Sequence, residues 1–310
     1  MEMNAVFSTN PRCQIVPLPD QQVAFVVDGV ERLRWHASHQ SPRPFFYPLI
    51  GPSGFPLTRM GHPGASNHDH HRSIWFAHHR VLGIDFWSDE TTATIRQLKW
   101  RAYEDGEDEG RMAVELAWYD GHDPEPLLLQ ELVAAIRPGP EGEVFLELQT
   151  SLRSVADQIE LGVTNFGLLA VRVAKSISAV FGRGELTGSN RLVGEQQLFG
   201  KSMSWVDYSG NLEDDCVEGI TYFDHKDNAT FPSKWHVRDD GWMGASVCRE
   251  QSVILTNKAP TTWRYLLHAH SGTINPDRTD EIAELFGNSP GFVVLDDSRP
   301  HYEAVITRTK

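Results

Sequence analysis

Cysteine is scarce in this chain of 310 residues: there are three, Cys13, Cys216 and Cys248, too far apart to form a CxxC pair. That excludes a cysteine-built zinc site and a disulfide scaffold, and it fits a reducing compartment. Cys13, alone near a terminus, reads as an ordinary thiol. Basic residues are also few. Lys and Arg number 28 against 42 Asp and Glu, a formal charge of −14, so nucleic acid and anionic membranes are not expected partners. Long apolar runs are absent. The longest resemble Val23–Val27, far short of the ~18–20 residues that span a bilayer. The opening MEMNAVFSTNPRCQ has no basic segment followed by an apolar one, so no signal peptide is expected and the expected location is cytoplasmic. Nucleotide signatures are missing too. GRGELTGSN lacks the GxGxxG spacing, and the chain has no GxSxG elbow and no Walker lysine.

Helix signals are few and strand signals many. Asp28-Gly29 between Val23–Val27 and VERLRW predicts a two-residue hairpin, since both turn positions need positive φ. RPFFYPLIGPSGFPLTR is dense in Pro and Gly and reads as short extended pieces and turns. ATIRQLKWRAY is strand-like with one slip of phase. RMAVELAWYDG places Met112, Val114, Leu116 and Trp118 on one face. LLLQELVAAIRPGPEGEVFLELQTSLRS predicts two strands around the turn Pro138–Gly142. Further strands are expected at Gly219–Phe223, Ser252–Thr256, Thr262–His268, Phe292–Leu295 and Ala304–Thr307. Thr279 or Asp280 before EIAELFG is the expected N-cap of a short helix. GLLAVRVAKSISAVFG carries β-branched Val171, Val173, Ile177 and Val180, which favour a strand. Strands at intervals of about 8–12 residues with no internal repeat predict a mainly β chain: one large antiparallel β-sandwich over 1–310 with few short helices. A two-domain alternative would divide near Val180–Arg191.

Residues 67–79 read NHDHHRSIWFAHH and hold five histidines, His68, His70, His71, His78 and His79. Neutral imidazole is a common metal ligand, and His68-x-His70 opens such a pattern. The glutamate that a cupin-type site would supply four to six residues on is absent. On an extended strand His68 and His70 would share one face and His71 the other. Histidine also passes protons near neutral pH, given a carboxylate to orient it. Asp69 and Asp85 are nearby, Asp224-His225 and His236 are distant, and His268 and His270 form a second HxH. The plain alternative is that such histidines only bond backbone carbonyls. His36, His39, His122 and His301 read as surface residues.

Five blocks carry a resemblance: RPFFYPLIGPSGFPLTR, HDHHRSIWFAHHRVLGIDFW, NFGLLAVRVAKSIS, GKSMSWVDYSG and GITYFDHKDNATFPSKWHVRDDG. They resemble the bacterial proteins of the "PmoA family", with a weaker echo in WRYLLHAHSG. A membrane-bound methane oxygenase subunit needs several transmembrane helices. This sequence has none, so the methane activity in that name is rejected. The resemblance implies a supersandwich similar to galactose mutarotase, whose members bind sugars in an open cleft and work with His and a carboxylate; fold alone does not give function.

The residues sort into roles on that basis. His70, His71, His78, Asp224 and His225 are candidate acids, bases and orienting groups. Arg59 and Arg72 are candidate forks for oxygen or developing charge. Trp75, Trp235, His236, Lys201 and His268 are candidate substrate contacts, Trp75 and Trp235 by stacking on a sugar face. Phe76, Trp87 and Trp205 read as core, and Glu160 and Glu195 as possible bases, though a lone Glu is usually solvated. The expected function is proton transfer on a sugar or oxidised (keto) sugar: mutarotation, epimerisation, or elimination/hydration. No cofactor is firmly implied. A divalent metal held by His68, His70, His225 and His268 is one alternative, giving an isomerase or oxygenase. A non-catalytic sugar-binding module is another.

Overall fold

Asp28 (φ 52°) and Gly29 (φ 78°) both adopt the left-handed conformation that joins Gln22–Val27 to Val30–His36, the two-residue hairpin expected from the sequence. The computed structural model describes residues 10–62, 64–65, 68–213, 216–297 and 299–309. Half of the chain is strand and 8% is helix. Two eight-stranded antiparallel sheets dominate. The first runs Cys13–Leu18, Gln22–Val27, Val30–His36, Phe45–Phe46, Ile74–His78, Gly167–Arg172, Trp242–Ser246, Lys234–Arg238. The second runs Glu185–Gly188, Trp205–Glu213, Cys216–Asp224, Thr261–Ser271, Val144–Ser154, Leu128–Pro138, Gly110–Tyr119, Thr94–Glu104.

The two sheets pack face to face over one core. Strand alternation supplies it: Met112, Val114, Leu116 and Trp118 from the second sheet meet Val23, Phe25, Leu33 and Trp35 from the first. Cross-sheet polar ties pin the layers. Tyr222 donates its hydroxyl to the Leu169 carbonyl at 3.3 Å, and Trp35 donates Nε1 to Gln97 at 2.8 Å. The phase slip read in ATIRQLKWRAY is real: Thr94–Glu104 carries two register shifts, between Gln97 and Lys99 and between Trp100 and Ala102.

The outer face of the second sheet is also covered. The hairpin Phe292–Asp296 with Ala304–Arg308 packs Phe292 and Ile306 onto Ala113, Val133 and Ala135. The helix Pro276–Gly287 seats Phe286 against Phe145, Trp205, Phe223 and Leu266. This helix starts earlier than expected. Its N-cap is Asn275, whose side chain accepts from the Arg278 amide, not Thr279 or Asp280. Pro276 at the first helical position needs no amide partner, which is why the helix extends back to it.

A second departure concerns the histidine stretch. Residues 68–70 form a tight turn before the strand Ile74–His78, so the face rule for an extended strand does not apply to His68, His70 and His71. Trp235 is a third. It is fully buried in the core, edge-on to Tyr222, with Nε1 donating to the Met203 carbonyl at 2.8 Å. Alternation explains this: in Lys234–Arg238 the odd-numbered residues face the core and the even-numbered ones face away.

Arg264 is the main polar tie between the second sheet and its cover. Its fork reaches Glu147 (2.6 Å), the His225 ring (2.7 Å), the Ser289 carbonyl and hydroxyl (2.8 Å each) and the Pro290 carbonyl (3.1 Å). Arg264→Ala removes one of the two guanidiniums on buried Glu147, leaving Arg308 at 2.8 Å, and frees the His225 ring and the Ser289 and Pro290 carbonyls. It is expected to cost about 3 kcal/mol, read as a lowered urea midpoint. Arg12→Ala, which breaks an exposed pair with Asp28, should leave that midpoint almost unmoved. Equal effects of the two substitutions would refute this assignment of the tie.

Candidate functional site

The same alternation builds a cleft of about 690 Å³ on the outer face of the first sheet. Where Leu169 and Val171 point into the core, Ala170 and Arg172 point out. Where Met243 and Ala245 point in, Trp242 points out, and His236 and Arg238 do the same beside Trp235 and Val237. Register brings them together, since Trp242 lies opposite both Arg172 and Arg238. Small Ala170 and Gly244 sit opposite Trp75 and His236, leaving room for the rings. The turns around 68–71, 85–88 and 239–240 wall the cleft.

Its floor is aromatic. Trp75, Trp87 and Trp242 form a triangle with centroids 5.3–5.5 Å apart, and Phe166 packs on Trp87 at 5.5 Å. Two buried imidazoles flank Trp242: His71 at 4.8 Å and His236 at 5.8 Å. His71 continues into His70 (4.4 Å) and His68 (5.0 Å), and His68 into His62 (5.3 Å).

Burial sets the charge of these rings. It holds His236 down to about 4, helped by Arg238 and Arg249 and opposed by a hydrogen bond to the Asn165 backbone. His71 is pushed lower still by burial, by the neighbouring histidines and by Arg172. Burial also lowers His68. All three are therefore neutral at pH 7. The Nδ1 atoms of His71 and His236 and the indole nitrogens of Trp87 and Trp242 are buried without a hydrogen-bond partner among the described residues. Buried polar atoms are rarely left so, and here several line one cleft.

The carboxylates of the cleft are engaged. Burial would raise Asp85, but bonds from the Ser88 hydroxyl and the Trp87 and Ser88 amides lower it. Asp240 takes Arg172 at 2.7 Å and the His62 ring at 3.0 Å. Glu195, a possible base from the sequence, lines the cleft and accepts from Arg238 at 2.6 Å and the Asp239 amide at 2.8 Å.

Besides Glu195, of the residues singled out from the sequence, the cleft gathers His68, His70, His71, His79, Asp85 and His236. Trp75 lies just beneath its floor, fully buried. The rest are elsewhere. His78 faces inward, its Nε2 at 3.1 Å from the Gly162 carbonyl. Arg72 is clamped on Asp89 at 2.9 and 2.6 Å. Arg59 donates to the Val173 and Asp240 carbonyls. Asp224 is buried near the rim of the second sheet, bonded by Asn228 at 2.7 Å and the Ser233 amide at 2.8 Å, and burial raises it to about 6. His225 is bound to Arg264. His268 pairs with Glu143 at 2.9 Å beneath the helix Pro276–Gly287, and Lys201 is exposed. These side chains already serve buried hydrogen bonds or solvent.

The metal ligand pool is thereby divided: His225 and His268 belong to the second sheet, away from His68 and His70. Among the described residues, no group of three or more His, Cys, Asp or Glu side chains has the geometry to hold a metal ion. The residues missed from sequence are Arg172, Phe166, Trp242, Arg238 and Asp240. Arg172 had a usable signal, being a single charge inside the apolar run GLLAVRVA; Trp242 had none.

The chain belongs to a family of unknown function (DUF6807), whose model matches residues 22–284. No curated protein matches it. Among the described residues, no helix is long and apolar enough to cross a membrane.

The neutral buried rings fix a pH dependence. His78 and His225 are also held at about 4 by burial, against about 6.5 in an unfolded chain. Between those values the native state binds fewer protons than the unfolded one, so stability falls as pH drops from about 6.5 to about 4. Asp224, raised to about 6, opposes this. Ring-proton NMR is expected to show His78 and His236 titrating near pH 4 and His71 below them. A midpoint above 6 for His236 would overturn the neutral assignment.

Proposed function

We propose that this cleft belongs to a carbohydrate-active enzyme that transfers a proton on a sugar or oxidised (keto) sugar, by mutarotation, epimerisation or elimination/hydration. The observation carrying this reading is the pair of neutral imidazoles, His71 and His236, flanking one indole, with Nδ1 of both unpartnered among the described residues. A sugar ring offers an apolar face and a rim of hydroxyls. Trp242, Trp87 and Phe166 suit the face. The indole nitrogens and imidazoles suit the rim.

His236 is the base. Its backbone bond to Asn165 orients the ring, and Nδ1 takes a proton from a hydroxyl or from carbon beside a carbonyl. A depressed pKa makes it a weak base in the empty cleft. Negative charge on a bound substrate raises it toward the working range. His71, more strongly held neutral, hydrogen-bonds the oxygen on which charge develops. The resemblance of several blocks to the PmoA family, and through it to the mutarotase supersandwich, supports the same reading by analogy. The cytoplasmic location and the choice of isomerase or lyase belong to this proposal.

Proton NMR in D2O over a panel of aldoses and keto-sugars tests it. At least one sugar should show accelerated anomer exchange, carbon-bound deuterium or product. His236→Gln should slow that signal about a hundredfold or more, while Lys201→Ala, exposed and outside the cleft, should leave it unchanged. Saturable binding with no exchange on any sugar would leave a binding module and sink the enzyme reading.

A further inference from the structure

Arg172 is completely buried, yet it lines the cleft. Only its Nη1 is bonded, to Asp240 at 2.7 Å. Nε and Nη2 are buried without a hydrogen-bond partner among the described residues. Two other guanidiniums of the chain are better used. Arg264 makes five bonds to oxygen and imidazole, and Arg278 puts both terminal nitrogens on Glu143.

The unbonded pair is not arbitrary. Nε and Nη2 lie on one edge of the guanidinium and donate side by side, the geometry that matches the two oxygens of a carboxylate. This chain uses that edge twice for that purpose: Arg12 holds Asp28 at 2.7 and 2.9 Å, and Arg34 holds Glu31 at 2.8 Å through both nitrogens. In Arg172 the same edge meets no carboxylate of the described residues.

The described lining of the cleft as a whole holds four carboxylates, Asp85, Glu195, Asp239 and Asp240, against Arg172 and Arg238; only immediately around Arg172 does the charge favour an anion. Asp240 is shared with His62, and the neighbouring Arg59, with no carboxylate of its own in hydrogen-bond range, spends its nitrogens on the Val173 and Asp240 carbonyls. Arg59 thus meets the Asp240 carboxylate only through space, and Arg172 alone of the two bonds it. Arg172 helps to keep His68 and His71 neutral, so those rings add no charge. Asp239, Glu195 and Arg238 also line the cleft, and Glu195 and Arg238 neutralise each other. An incompletely paired buried cation is costly. A bound anion relieves it.

We infer that Arg172 forms a carboxylate subsite at one end of the cleft, so that the sugar bound there is a sugar acid. The inference rests on reading the cleft as a sugar site. It deepens that reading by placing a negative charge next to His71.

Calorimetry on the full chain at fixed ionic strength tests it with D-glucuronate and D-galacturonate, the matching aldoses, and the methyl esters of the two uronates. At least one uronate is expected to bind about tenfold or more tightly than both its aldose and its ester. The ester keeps the shape and removes the charge, so this arm needs no protein variant. Arg172→Gln is expected to bring acid and ester within twofold. An aldose that binds as well as its uronate, or an ester equal to the acid, would overturn the Arg172 subsite and leave the sugar site standing. Binding of none of these probes would overturn both.

Discussion

The structure depends on a sheet that must bury both of its faces. Ile74–His78, Gly167–Arg172, Trp242–Ser246 and Lys234–Arg238 are neighbours in the first sheet, and one of their faces completes the sandwich core. The other face cannot be left wet, because it carries Trp75, Ala170 and Trp242. Loops fold over it and, with Trp87 and Phe45, make a second, smaller apolar cluster. Arg172 and His236, which alternation sends to this face, therefore arrive among indoles and are dehydrated by the same rule that buries Leu169 and Trp235 on the opposite side, while His71 reaches the same cluster from the turn before Ile74–His78.

That dehydration determines the chemistry. An imidazole in water is half-charged near pH 6.5, and one packed against tryptophan is not. His236 becomes a neutral ring with a lone pair, and His71 a neutral ring whose protonation is disfavoured further by Arg172. The guanidinium stays charged because no accessible pH removes its proton. The cleft thus combines neutral hydrogen-bonding rings with a fixed cation, and a substrate that brings negative charge raises the proton affinity of the rings next to it.

Much of the fold was legible in the sequence because its signals are local. The Asp28-Gly29 turn, the alternation through Met112 to Trp118 and the paired strands around Pro138–Gly142 each follow from a few consecutive residues. Even the phase slip near Leu98 was visible and marks a bulge. The site was less legible because it is assembled across strands. His70, His71 and His236 stood out as histidines, but nothing local distinguishes the outward His236 from the inward Trp235 until the sheet's buried side is known. Arg59 and Arg72 were the guanidiniums picked out from the sequence, and the fold commits them to carbonyls and to Asp89.

The second histidine pair is the instructive contrast. His268 and His270 are as buried as His71 and His236. Each is closed by a carboxylate, Glu143 at 2.9 Å and Asp207 at 2.8 Å, with Arg278 completing Glu143 and Thr221 bonding Asp207. The Asp207 pairing outweighs burial and raises His270, while Glu143 is lowered to about 2 despite its burial. The space beside them is about 30 Å³, room for a water molecule and little more. Histidine content alone therefore did not mark the site, since two HxH segments fold into opposite situations. What separates them is hydrogen-bond satisfaction. Under the helix Pro276–Gly287 the rings are tied off by protein carboxylates, while in the cleft His71, His236, the indoles and one edge of Arg172 keep hydrogen-bonding capacity that the described residues do not use.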